Sequence, residues 1–141
     1  MKNINLSARE KEIMEMLWRN DTPFTSVEML ERLDSERWNK LSVFRTINSL
    51  IDKKYIVVNG FEQYNTQYAR KFTYALTREE YVAKLMKNDG MGITSLSSVA
   101  LALIGDEVPS NKEEKDILIS NLQNIIDDLK NNEKDKKKEN R

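Results

Sequence analysis

Apolar residues fall at helical spacing almost from the start of the chain. Ile13, Met14, Met16, Leu17 and Trp18 follow Ser7-Ala8-Arg9-Glu10, a hydroxyl with a Glu three residues on, which is the pattern of a capping box. Asn20-Asp21-Thr22-Pro23 ends that helix. Thr25 or Ser26 caps a second helix with Val27, Leu30 and Leu33 on its inner face. Asn39 caps a third, whose inner stripe is Val43, Ile47, Leu50 and Ile51. The opposite face, at about 100° per residue, holds Leu41, Ser42, Arg45, Asn48, Ser49 and Asp52. The period then changes. Tyr55-Ile56-Val57-Val58 reads as a strand, Asn59-Gly60 begins a turn-rich polar stretch, and Phe72-Thr73-Tyr74-Ala75-Leu76 reads as the return strand.

Three helices followed by a hairpin is the winged-helix arrangement, a helix-turn-helix variant. The expected fold class is therefore mainly α with a small β-hairpin wing: a winged helix-turn-helix domain over 1–77 and a helical region over 78–130. Thr77-Arg78-Glu79-Glu80 repeats the capping-box pattern, and Asn88 to Gly92 breaks the helix behind it. Leu96, Val99, Ala100 and Leu103 form a further apolar stripe; Gly105 to Pro109 is a break, and Ser110 with Glu113 suggests another capping box. In the last helix Leu118, Leu122, Ile125 and Leu129 alternate four and three apart, a short heptad seam that Ile119 and Ile126 widen. Such a stripe needs a surface to cover it. A partner chain fits, and packing back onto the wing domain gives the same pattern. Residues 131–141 are nearly all charged or amide and read as a disordered tail.

Composition removes most enzyme classes. The 141 residues include no Cys and no His, so disulfides, thiolate nucleophiles, histidine bases and the usual zinc sites are not expected. No cofactor, metal or membrane partner is expected, nor an enzyme. The N-terminus lacks an apolar signal region, and the longest aliphatic run, Val99 to Ile104, is far below the ~20 residues of a membrane span; cytoplasmic location is expected.

Net charge is zero, but its distribution is uneven. Residues 37–78 carry eight basic side chains (Arg37, Lys40, Arg45, Lys53, Lys54, Arg70, Lys71, Arg78) against Asp52 and Glu62, a net +6, whereas 1–36 and 79–141 are each net −3. A basic block between acidic flanks is the footprint of a phosphate-binding face, although a solvated charged surface looks similar. Small polar residues with one Arg on the outward face of the third helix suit base edges in a major groove.

These residues resemble the penicillinase-repressor (BlaI/MecI/CopY) family. The run from Ser7 to Trp18 is similar to its opening pattern of Ser-x-x-Glu, then Val/Ile-Met, then Trp. Trp38 with the helix to Leu50-Ile51-Asp52-Lys53-Lys54-Tyr55-Ile56 resembles its recognition helix and exit strand, and Phe72 to Leu76 with Arg78-Glu79-Glu80-Tyr81 resembles its wing return and hinge. The resemblance spans roughly 6 to 129. It implies a homodimeric repressor on palindromic operator DNA, paired through its C-terminal helices, with Ser42, Arg45 and Asn48 in recognition roles. Three departures stand out. Asn39-Lys40-Leu41-Ser42 replaces the usual Ser-Pro-Lys-Thr, Val99-Ala100 stands where sensor-controlled members carry a cleavable Asn-Phe pair, and the Cys-x-Cys of the copper-responsive branch is missing. Operator sequence therefore does not transfer, and induction by proteolysis near residue 99 is not expected.

The resulting expectation is a cytoplasmic transcriptional repressor that binds double-stranded DNA as a homodimer. Ser42, Arg45, Asn48 and Ser49 would face bases, and Lys40, Lys53, Lys54, Arg70 and Lys71 phosphates. Leu96, Val99, Leu103, Leu118, Leu122, Ile125 and Leu129 would form the dimer interface. Two alternatives stay open at this point: a winged-helix protein-interaction module, supported by Leu41 and Phe44 beside the recognition face, and a ligand-responsive winged-helix regulator of another family.

Overall fold

The computed structural model describes residues 4–139, the last seven by backbone alone. The chain divides into two compact units on either side of the Gly92–Ile93 junction. In the first, α1 (Ala8–Arg19), β1 (Phe24–Thr25), α2 (Ser26–Arg32) and α3 (Lys40–Asp52) precede the hairpin of β2 (Ile56–Tyr64) and β3 (Gln67–Tyr74), and α4 (Arg78–Asn88) follows. This order is that of a winged helix-turn-helix. The sheet has three antiparallel strands in the order β1-β3-β2, one more than a bare hairpin, because Phe24 and Thr25 pair with Phe72 and Lys71.

Local chemistry fixes the helix starts. Full capping boxes close α1 (Ser7 with Glu10), α2 (Thr25 with Glu28) and α4 (Thr77 with Glu80), and Asn39 with Ser42 does the same for α3. Each box satisfies backbone N–H groups that the first helical turn leaves unpaired. Ile13, Met14 and Leu17 of α1, Val43, Ile47 and Leu50 of α3, Trp38, Tyr55, Ile56, Phe72 and Leu76 form one buried core. In α2 the buried residue is Met29; Val27, expected inside, is exposed, and Leu30 and Leu33 are only partly covered. Seven residues make barely two turns, too few to phase a stripe from its spacing.

Asn59-Gly60 is a bulge inside β2 and not the start of a turn. The register slips by one residue between Val58 (opposite Phe72) and Phe61 (opposite Arg70), with Gly60 at φ +94°, and the reversal comes at Asn65. The first compact unit includes α4. The Tyr81 ring sits 5.8 Å from Trp18 and 5.9 Å from Tyr55, its hydroxyl accepts from the Leu6 N–H at 3.2 Å, and Arg78 pairs with Glu15.

The second unit contains a 3-10 turn (Ile93–Ser95), α5 (Leu96–Asp106) and α6 (Lys112–Glu139). The start of α6 is capped one residue later than expected: the Asn111 side chain accepts from the Glu114 N–H at 2.8 Å, and the Glu114 carboxylate takes the Ser110 N–H and hydroxyl. The helix also continues through 131–139, where disorder was expected. Extending a nucleated helix costs little, and Lys and Glu are good helix formers. No helix among the described residues is long and apolar enough to cross a membrane.

Candidate nucleic-acid interface

The outward face of α3 is turned relative to the expectation. Thr46 is buried, because its hydroxyl donates to the Ser42 carbonyl at 2.8 Å and needs no water, while Ile51 is only partly covered. This shifts the centre of the buried arc by about 35°. The exposed strip becomes Leu41, Phe44, Arg45, Asn48 and Asp52, with Asn48 half-buried.

Ser42 and Ser49 lie at the margin of that strip and both are engaged. The Ser42 hydroxyl accepts from the Asn39 N–H and donates to the Asn39 carbonyl, each at 2.9 Å. The Ser49 hydroxyl, expected to face bases, donates to Glu10 of α1 at 2.8 Å.

The basic block is neutralised selectively. Glu10, Glu12 and Glu15 of α1 pair with Lys53, Arg37 and Arg78, and Lys71 lies 3.9 Å from Glu62 across the wing. Lys53 Nζ donates to Glu10 at 2.8 Å and to the Asn5 carbonyl at 3.1 Å, and Lys71 is half-buried, so neither projects freely as a phosphate contact would. Four of the eight basic residues have no carboxylate partner among the described residues: Lys40 and Arg45 on α3, Lys54 just beyond it, and Arg70 on the wing. Segment-by-segment charge counting misses this sorting, because the pairs join residues far apart in sequence.

Glu10 anchors the network behind the strip. Its side chain is only 5% exposed and accepts from Lys53, Ser49 and the Ser7 N–H. Burial pushes its pKa up, but the bonds from Lys53, Ser7 and Ser49 outweigh this and hold it below the usual carboxylate value. A depressed folded pKa contributes stability above the unfolded pKa of about 4.3, lost as pH falls through the folded value. Glu10→Gln should lower stability near neutral pH by about 1–3 kcal/mol. The gap to the wild type should narrow below pH ~4, read from thermal unfolding at several pH values. A gap of constant size would contradict the linkage.

Lys54 has φ +65°, in the left-handed region that favours glycine. In the wing, the register puts Phe61, Gln63, Tyr68 and Arg70 on one face, and the Arg70 guanidinium lies 5.3 Å from the Phe72 ring centre. In the second unit, Leu96 and Leu103 of α5 and Leu118, Leu122, Ile125 and Leu129 of α6 are exposed and Val99 is half-buried. No cluster of carboxylates fit to hold a metal ion occurs among the described residues.

Residues 6–128 match the family model described as Penicillinase repressor. No curated protein sequence matches the chain. Among solved structures, that of a mutant of Lactococcus lactis ZitR aligns over 92% of this chain and 79% of that one, at 12% identity and a TM-score of 0.39.

Proposed function

The chain belongs to the penicillinase-repressor family, a family of transcriptional regulators, and on that premise we propose that it is a homodimeric repressor of palindromic operator DNA. Arg45 and Asn48 of α3 read base edges. Lys40, Lys54 and Arg70 hold phosphates, and the exposed stripes of α5 and α6 pair two copies. Lys53, Lys71 and Ser49 support the domain from within, and Ser42 caps the recognition helix. Nothing in this role calls for catalysis, and a repressor of this kind works in the cytoplasm.

The observation that carries the reading is the selective neutralisation: carboxylates from α1 and the wing consume half of the basic block and leave Lys40, Arg45, Lys54 and Arg70 without a carboxylate partner among the described residues. Free cations on one groove-sized helix and an adjacent hairpin suit a polyanion. The test is the salt dependence of binding to duplexes selected from a random pool by the purified protein. The logarithm of the binding constant should fall with the logarithm of salt with a slope steeper than about −3. Weak binding that ignores salt would favour a second reading, a protein-interaction module, for which the half-exposed Leu41 and Phe44 speak.

Lys54 separates the two readings with opposite signs. Holding a side chain in the left-handed region costs roughly 1 kcal/mol, so Lys54→Gly should raise the melting temperature. The same substitution should weaken DNA binding and make the salt slope shallower by about one unit. A variant that is more stable and binds unchanged would remove Lys54 from the interface.

A further inference from the structure

The strip that carries Arg45 is not wholly polar. Leu41 and Phe44 are 54% and 51% exposed, within a surface whose unpaired cations otherwise call for water or phosphate. Neither is part of the core, whose α3 members are Val43, Ile47 and Leu50. Phe44 lies about 100° from Arg45 around the helix, on the other edge of the strip; Leu41 falls between them, one turn toward the N-terminus. Leu41 and Arg45 are about 6 Å apart along the axis, close to two base-pair steps. A partner for this surface must be anionic overall and apolar at discrete points. Among the base edges of the major groove, only thymine presents an apolar group, its C5-methyl.

We propose that Leu41 and Phe44 read thymine methyl groups, so that each half-site carries thymine within about two base pairs of the one contacted by Arg45. The inference rests on the DNA-binding reading and adds which bases the recognition helix prefers. Lys40 at the start of the same helix supplies the phosphate attraction, and the apolar pair supplies selectivity without hydrogen bonds. Covering each methyl removes one carbon's worth of apolar surface from water, worth about a four-fold change in affinity.

The test uses the full-length protein and duplexes it selects from a random pool. Each thymine of the half-site is replaced singly by deoxyuridine, which deletes the methyl and keeps the pairing. Dissociation constants are measured for the wild type, Leu41→Ala and Phe44→Ala. Both side chains are half-exposed, so the variants should keep the wild-type circular dichroism and melting behaviour. The expected result is a loss of about four-fold at one or two thymines for the wild type. That loss should vanish at one position in each variant. Selected sites without thymine, a wild type that binds thymine and uracil duplexes alike, or a uracil penalty undiminished in both variants would each overturn the inference. Indifference to uracil with steep salt dependence would leave the DNA-binding reading standing and assign Leu41 and Phe44 to an apolar protein partner. Failure to bind any DNA would overturn both.

Discussion

Replacing Leu122 and Ile125 with Glu should give a protein that is monomeric at micromolar concentration and binds its selected DNA about a hundred-fold or more weakly. Leu118, Leu122, Ile125 and Leu129 repeat along one face of α6 and are 36–54% exposed, and between residues 96 and 132 no side chain of α5 or α6 is fully buried. Two helices that bury none of their large side chains cannot sustain their own structure, since packing supplies most helical stability in proteins. An exposed apolar stripe of this extent marks an association surface. A second copy is the occupant that a heptad seam favours, because the same seam complements itself about a two-fold axis. Two linked recognition helices bind with an effective concentration that raises affinity by about 10²–10⁴ over one, and that factor is what the charged variant loses. Light scattering reads the assembly state, and titration of the selected duplex reads the affinity. A wild type that scatters as a monomer would contradict the account before any variant is made.

Arg45→Ala carries the second large effect. Arg45 is exposed on the strip and has no carboxylate or hydrogen-bond partner among the described residues, whereas Arg37 and Arg78 are tied to α1. Arginine to guanine is the commonest specific contact in a major groove. Loss of the side chain should cost about 1–3 kcal/mol on the selected site, much less on random DNA, and relax the preference at one base pair in each half-site. Equal weakening on selected and random DNA would make Arg45 a phosphate anchor and shift base reading to Asn48.

The elements legible in the sequence are those fixed by short-range chemistry. The Ser7–Glu10 and Thr77–Glu80 boxes lie three residues apart, so α1 and α4 begin where the pattern places them. The inner stripe of α3 was legible except at Ile51, which is only partly covered, and at Thr46, which counts as polar in any pattern but hides its hydroxyl on the Ser42 carbonyl. Those two residues together turn the outward face toward Phe44 and away from Ser49. Long-range pairing was not legible. β1 has two residues and exists only because β3 lies beside it, and Lys53 and Glu10 are 43 positions apart. The Asn59-Gly60 dipeptide suits a turn and a bulge equally, and only the pairing of Phe61 with Arg70 decides between them. For α3 and the wing, the elements are legible in the sequence, but not which of their cations lack a carboxylate partner among the described residues.

The most direct test of a dimeric, sequence-specific regulator is sedimentation of the full chain with a selected duplex and with a random duplex of equal length at the same salt. The account predicts two chains on each selected duplex and an affinity at least about 10³ above the random duplex. One chain per duplex, or equal affinity for the two sequences, would contradict it.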